Sequence, residues 1–192
     1  MTLKKLLEDI SKCTLCAPHL DLGARPVVEA SATSKIVIIG QAPGTKVHKS
    51  GVPWDDQSGE NLRNWMGIDA DTFYDVSKIA IIPMGFCYPG KAKTGDKPPR
   101  KECAPKWHQL LLDNMKEVEL TLLIGKYAQD YYLQNQTKKT LTETVKQFHE
   151  YLPHHFVLPH PSPRNNIWQA KNPWFKSDVL PALKEVVHRI LL

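Results

Sequence analysis

The chain has no apolar run approaching the eighteen residues that a membrane-spanning helix requires. Its first residues, Met1-Thr2-Leu3-Lys4-Lys5-Leu6-Leu7, carry neither the apolar stretch nor the small-residue cleavage site of a secretory signal. A cytoplasmic protein with no membrane partner is therefore expected. No internal repeat, low-complexity tail or composition break divides the 192 residues, so a single domain over 1–192 is expected, with roughly 70% of the unfolded surface buried. Cysteine is scarce, four in all, and without an export signal these are not expected to pair as disulfides. Acidic residues are in deficit, 20 against 25 Lys and Arg, for a net charge of +5. A polyanionic partner fits that balance, although charge alone speaks to association and not to fold.

Apolar periodicity supplies the elements. Leu3, Leu6, Leu7 and Ile10 mark a helix over 2–12, and short apolar runs at 35–39, 78–82, 120–124 and 154–158 read as buried strands. Helical patterns fall at 58–66, 71–74, 102–117, 126–133, 140–151 and 174–190, the last interrupted or restarted at Pro181. Residues 40–58 read as a long polar loop, longer than a simple connection needs. Strands alternating with helices predict parallel pairing by right-handed crossovers. The expected fold is a three-layer α/β/α sandwich around a mostly parallel four-stranded sheet.

Two turns carry the chemistry. Gly40-Gln41-Ala42-Pro43-Gly44 follows the first strand, and His160-Pro161-Ser162-Pro163-Arg164-Asn165 follows the fourth. Strand ends in a parallel sheet share one edge, where ligands bind, so turns about 120 residues apart can face a single cleft. The first loop continues through Gly51-Val52-Pro53-Trp54 to Asp55-Asp56-Gln57-Ser58-Gly59. Asp55 and Asp56 can serve chemistry or simply favour a helix N-terminus; His48 is a lesser candidate in the same loop. Lys91, Lys93, Lys97, Arg100 and Lys101 crowd one stretch opposed only by Asp96 and Glu102, which reads either as a solvated loop or as a phosphate-contacting rim. Cys13 and Cys16 form a Cys-x2-Cys pair, and Cys87 and Cys103 could complete a four-sulfur shell for zinc or an iron–sulfur cluster.

With this pair of turns the chain resembles the uracil-DNA glycosylase superfamily, over nearly its whole length and with the motifs in the same order. The cysteine pattern is similar to that of the iron–sulfur branch, and the resemblance implies a [4Fe–4S] cluster on Cys13, Cys16, Cys87 and Cys103, with zinc the lesser alternative. It further implies that Trp54, where the family usually has Phe, stacks on an extruded base; that Gln41 and Ala42 read its edge; and that His160 hydrogen-bonds O2 of uracil. Ser162 would touch a phosphate, and Arg164 would stand where many relatives carry a Leu wedge. Asn165, with Asn166 and Trp168, reads as DNA contact or helix start, and Arg100 and Lys101 as DNA contacts. The chain departs from the family at Gln41, where the iron–sulfur branch has Glu, and at Pro83, where several branches place a base-reading Asn. Another branch uses an Asp shortly before Ser-Gly, which makes Asp56 the expected water-positioning carboxylate and Asp55 the second choice.

The implied function is monofunctional: a monomeric DNA glycosylase that hydrolyses the N-glycosidic bond of a damaged base, uracil first. No lysine nucleophile is evident. The alternatives are a glycosylase for another deaminated or mismatched base, or a nucleic-acid-binding homologue with little catalysis.

Overall fold

A computed structural model describes residues 1–191. Four strands, β1 (Ile36–Ile39), β2 (Ile79–Ile81), β3 (Leu120–Ile124) and β4 (His155–Leu158), form one sheet in the order β2-β1-β3-β4 with every pairing parallel. Ile38 pairs with Ile81 on one side and Leu122 on the other, and Leu122 with Phe156. The strands are almost wholly buried because both sheet faces are covered, which is why they read as continuous apolar runs and not as alternation.

Alternate residues feed two cores. One packs Ile36, Ile38, Leu122 and Phe156 against α3 (Gln57–Met66), α4 (Ala70–Tyr74), α7 (Leu141–Lys146) and α9 (Leu180–Leu191). The other packs Val37, Ile39, Leu123 and Val157 against α1 (Leu3–Ser11), α5 (Gln109–Asp113) and α6 (Lys126–Leu133). Three layers follow, as the sequence predicts. Residues 29 and 81 exchange backbone hydrogen bonds of 3.0 and 2.7 Å, which covers the outer edge of β2.

Several boundaries differ from the sequence expectation. The supposed loop 40–58 contains α2 (Thr45–Ser50), which is closed by Gly51 in the left-handed region at φ 76°. Its apolar content is one buried residue, Val47, too little to register as a period. The expected helix 102–117 begins as a π-helical turn, Ala104–His108, before α5, and the final helix likewise begins with a π turn, Phe175–Val179. Pro181 lies just past that π turn within a continuous helix, and its missing N–H falls where the regular i−4 ladder is interrupted. Residues 140–151 divide into α7, which opens on a capping box of Thr140 and Glu143, and a 3-10 turn at Phe148–Tyr151. Asn166–Lys171 form α8, so the helix-start reading of Asn165, Asn166 and Trp168 holds.

Candidate active site

The strand order reverses between β1 and β3, and such switch points open a crevice at the carboxyl ends of the strands. The turn after β1 is fixed by donation from Met84 N to Gly40 O (2.8 Å) and from Gly85 N to Gln41 O (3.0 Å). The turn after β4 is fixed from two sides: Asn61 Nδ2 donates to Pro161 O at 2.8 Å, and Asn165 Nδ2 to His160 O at 2.6 Å. The two turns line one cleft of about 400 Å³, shared by Gln41, Ala42, Trp54, Asp56, His160, Ser162 and Arg164. Pro83, Val27 and Ile81 lie along the same cleft and are buried.

Trp54 is the most constrained residue in it. Its φ of 57° is left-handed, a region that costs a bulky L-residue about 1–3 kcal/mol and persists only when the surroundings impose it. Two glycines do so. A Cβ on Gly59 would fall 1.8 Å from Trp54 O, and one on Gly40 would fall 2.8 Å from Trp54 Cζ2. The Tyr74 hydroxyl donates to the adjoining Pro53 O at 3.1 Å. The indole thus lies on the Gly40 backbone with its ring centroid 5.7 Å from that of His160, at an interplanar angle of 32°.

Burial pushes the His160 imidazole below the usual histidine range, and the carboxylates of Asp56 and Asp96 oppose that shift in part. At neutral pH the ring is uncharged and holds one N–H to donate. Asp56 is the N-cap of α3, its Oδ1 accepting from Gly59 N at 2.9 Å, so the capping alternative and the cleft position are both realised in one side chain. Asp55 is exposed and does not line the cleft. His48 sits on α2 outside the cleft lining, its ring 5.8 Å from that of Tyr88. Sequence reasoning missed Asp96, which lines the cleft but reads in the sequence only as a countercharge to the lysines around it. Asn61 was missed as well, because nothing local distinguishes it from any polar residue on a helix face.

The DNA-contact candidates divide. Ser162 lines the cleft and caps the turn that follows, its Oγ accepting from Arg164 N at 3.3 Å. Arg164 is exposed at the mouth, with a guanidinium nitrogen 3.5 Å from where a Gly95 Cβ would stand. Asn165 uses its amide within its own loop. Lys101 is exposed, whereas Arg100 is half-buried: its guanidinium pairs with Glu102 and the side chain lines the cysteine pocket. Proximity in sequence to the lysines hid that difference.

Cys13, Cys16, Cys87 and Cys103 line one small pocket between the N-terminal segment and the loop after β2, with Arg100, Phe86 and Trp107. None is in a disulfide. Phe86 N donates to Cys103 Sγ at 3.5 Å. Burial raises the Cys87 and Cys103 thiols to about 11. Among the described residues no three His, Cys, Asp or Glu side chains form the tight shell of a single ion. The donor set, four cysteines on one pocket with a backbone N–H aimed at one sulfur, is of the kind that iron–sulfur clusters take.

Fold and cleft together define an α/β protein whose ligand site lies beyond the carboxyl ends of a parallel sheet. A family model described as the uracil DNA glycosylase superfamily matches residues 27–184, and the chain belongs to that family of DNA glycosylases. The matched span includes Cys87 and Cys103 and begins after Cys13 and Cys16. Among solved structures, a solution NMR structure of a Methanosarcina acetivorans protein, itself only provisionally a uracil DNA glycosylase, is similar at 15% identity and a TM-score of 0.43. The alignment covers 82% of this chain and 93% of that one. No helix among the described residues is long and apolar enough to cross a membrane.

Proposed function

We propose that the protein is a monofunctional DNA glycosylase that hydrolyses the N-glycosidic bond of a base rotated out of DNA, with uracil as its substrate. The observation that carries this reading is the shared cleft: Gln41, Trp54, Asp56 and His160, from two distant turns, all face one cavity. A base inside a duplex is out of reach of side chains, so the nucleotide must be extruded into that cavity. Trp54 offers it an aromatic face. The Gln41 amide and the backbone at Ala42 read its polar edge.

As the C1′–N1 bond lengthens, its electron pair moves onto the base and negative charge grows on O2. The neutral His160 ring, which lines the cleft, donates its N–H to O2 and so stabilises that charge more in the transition state than in the ground state. Water then bonds to C1′ and gives its proton to Asp56, whose capping hydrogen bond fixes the carboxylate and leaves Oδ2 for the water. An abasic site results. Gln41 does not titrate near neutral pH and acts only as an orienting group.

The test is base release from duplexes carrying a single uracil, hypoxanthine, xanthine or mismatched thymine. Uracil released fastest supports the reading; no release from any of them refutes it. One observation favours a different base as the second reading. Pro83 offers the cleft no side-chain hydrogen bond, and its carbonyl already accepts from His108 Nε2 at 3.1 Å.

We also propose that the four cysteines hold a [4Fe–4S] cluster. Four thiols line one pocket, and among the described residues no three of them close on a single ion, which favours a cage whose irons each take one thiolate over a tetrahedral zinc. When bound, the cluster supplies a structural crosslink between the segment after α1 and the basic loop. Iron and acid-labile sulfide near four each per chain after anaerobic purification is the expected result; a colourless, iron-free protein would refute it.

A further inference from the structure

The loop between β2 and α5 brings a second carboxylate to the mouth of the cleft. Lys91 and Asp96 form an isolated antiparallel bridge, Ala92 N donates to Gly95 O at 3.0 Å, and Lys97 N donates to Gly90 O at 2.8 Å. Gly90 and Gly95, at φ 97° and 80°, make the reversals that close this small hairpin. Asp96 is therefore held by backbone pairing. Its Oδ1 faces Lys91 Nζ at 3.3 Å and the Tyr88 hydroxyl at 3.5 Å. Its Oδ2 faces the Gly44 wall, where a Cβ would stand 3.8 Å from it.

The side chain is 32% exposed, whereas Gly40, Ile81 and Pro83, deeper in the same cleft, are buried. A base inserted to the floor of the cleft would leave its deoxyribose nearer the mouth, at the level of Asp96. Phosphates repel a carboxylate on this rim, and pairing of Oδ1 with the 70% exposed Lys91 offsets that repulsion only in part. A carboxylate fixed in the cleft by a paired hairpin, with Oδ2 outside that ion pair, is suited to a charge that appears only during reaction.

We propose that Asp96 is a second catalytic carboxylate, its Oδ2 facing the deoxyribose and stabilising the positive charge that develops there as the glycosidic bond breaks. This rests on the glycosylase reading. The division of labour with Asp56 follows from the hydrogen bonds. Asp56 has one oxygen in the α3 cap and takes the water's proton on the other; Asp96 acts through its field and transfers no proton. The bond electrons leave with the base, and the water oxygen closes the sugar's deficit. Both carboxylates line the cleft that His160 lines, and both favour its protonated form.

Asp96→Asn keeps the shape and removes the charge. Under single-turnover conditions the variant is expected to release base about 100-fold more slowly or worse, while binding an uncleavable 2′-fluoro uracil oligonucleotide at least as tightly as the parent. A structural defect would weaken both. A second measurement does not depend on which base is excised. The parent should bind an oligonucleotide with a cationic pyrrolidine in place of the target sugar about 10-fold or more tighter than its neutral tetrahydrofuran counterpart, and Asp96→Asn should bring the two near parity. Parental base release by Asp96→Asn, no cation preference in the parent, or an unchanged preference in the variant would each overturn the proposal. Absence of base release by the parent from all four duplexes would refute the glycosylase reading instead, and the sugar-analogue comparison would still decide the role of Asp96.

Discussion

Replacing Gly40 with alanine asks whether the backbone under Trp54 sets the position of its ring. The added Cβ would stand 2.8 Å from Cζ2, with Cη2 at 3.5 Å and Cε2 at 3.7 Å, so the ring must withdraw by about 0.6 Å to reach ordinary contact at 3.4 Å. Slack is limited. The residue already sits at φ 57°, its carbonyl is packed over Gly59, and the His160 ring lies 5.7 Å away. Forcing a methyl into a packed site costs about 1–3 kcal/mol. Misplacing a group that orients the substrate by about 1 Å costs up to about 100-fold in rate. Single-turnover base release at saturating protein should therefore fall about 10- to 100-fold, with a melting temperature lower by about 2–12 °C. The cause is isolated by a double-mutant cycle with Trp54→Phe, whose smaller ring makes room for the Cβ. In that background Gly40→Ala should cost less than about 3-fold. Undiminished rate in the single variant, or an equal loss in both backgrounds, would refute the argument that Gly40 acts through Trp54.

Removing the His160 imidazole should slow base release by about 2.7–4 kcal/mol, roughly 10²–10³-fold, with DNA affinity nearly intact; His160→Ala at the parental rate would remove it from the mechanism. Lys101→Ala should lower the slope of log affinity against log salt by about 1, as the loss of one phosphate contact does. Arg100→Ala should leave that slope unchanged, because its guanidinium is already paired with Glu102; titrations of binding from low to high salt compare the two. Burial lowers His108 from 6.5 to about 4, so the folded state favours the neutral ring while the unfolded chain binds a proton. Its contribution, about 3 kcal/mol, is fully present above pH 6.5 and is lost as pH falls toward 4. Urea melts at pH 7 and pH 4.5 should show a smaller acid loss in His108→Gln than in the parent, and equal losses would refute the assignment.

The sheet was legible because burial on both faces makes parallel strands apolar throughout, and four such runs stand out against the polar connections. The cleft was legible for a related reason. Parallel strands end at one edge, so turns beginning at Gly40 and His160 had to approach each other once both strands lay in the same sheet. What was not legible depends on where side chains go after the backbone is placed. Arg100 and Lys101 are adjacent and chemically alike, yet one lines a cysteine pocket and the other is exposed. Asp96 looks like charge balance in a lysine-rich loop, and only the hairpin closed by Gly90 and Gly95 turns it into the cleft. The same holds for α2, whose single buried Val47 gives no period to detect.

Helix α3 joins these parts into one device. Its N-cap is Asp56, its first turn holds Gly59 beneath the Trp54 carbonyl, and its next turn holds Asn61, which donates to Pro161 O in the histidine loop. Arg63, in the same turn as Asn61, lies 5.3 Å over the Phe73 ring with its guanidinium 3.4 Å from the Tyr74 hydroxyl, and that hydroxyl donates to Pro53 O beside Trp54. The opposite face of α3, through Leu62, Trp65 and Met66, is locked into the core beneath β1 and α9. A rigid element thus fixes the Asp56 carboxylate, the Trp54 ring and the His160 loop relative to one another. Preorganisation of that kind is what electrostatic catalysis needs, because a donor or carboxylate that must first reorient loses much of its advantage in the transition state. The left-handed strain at Trp54 is tolerable for the same reason: the helix that imposes it is held by the largest apolar cluster in the fold.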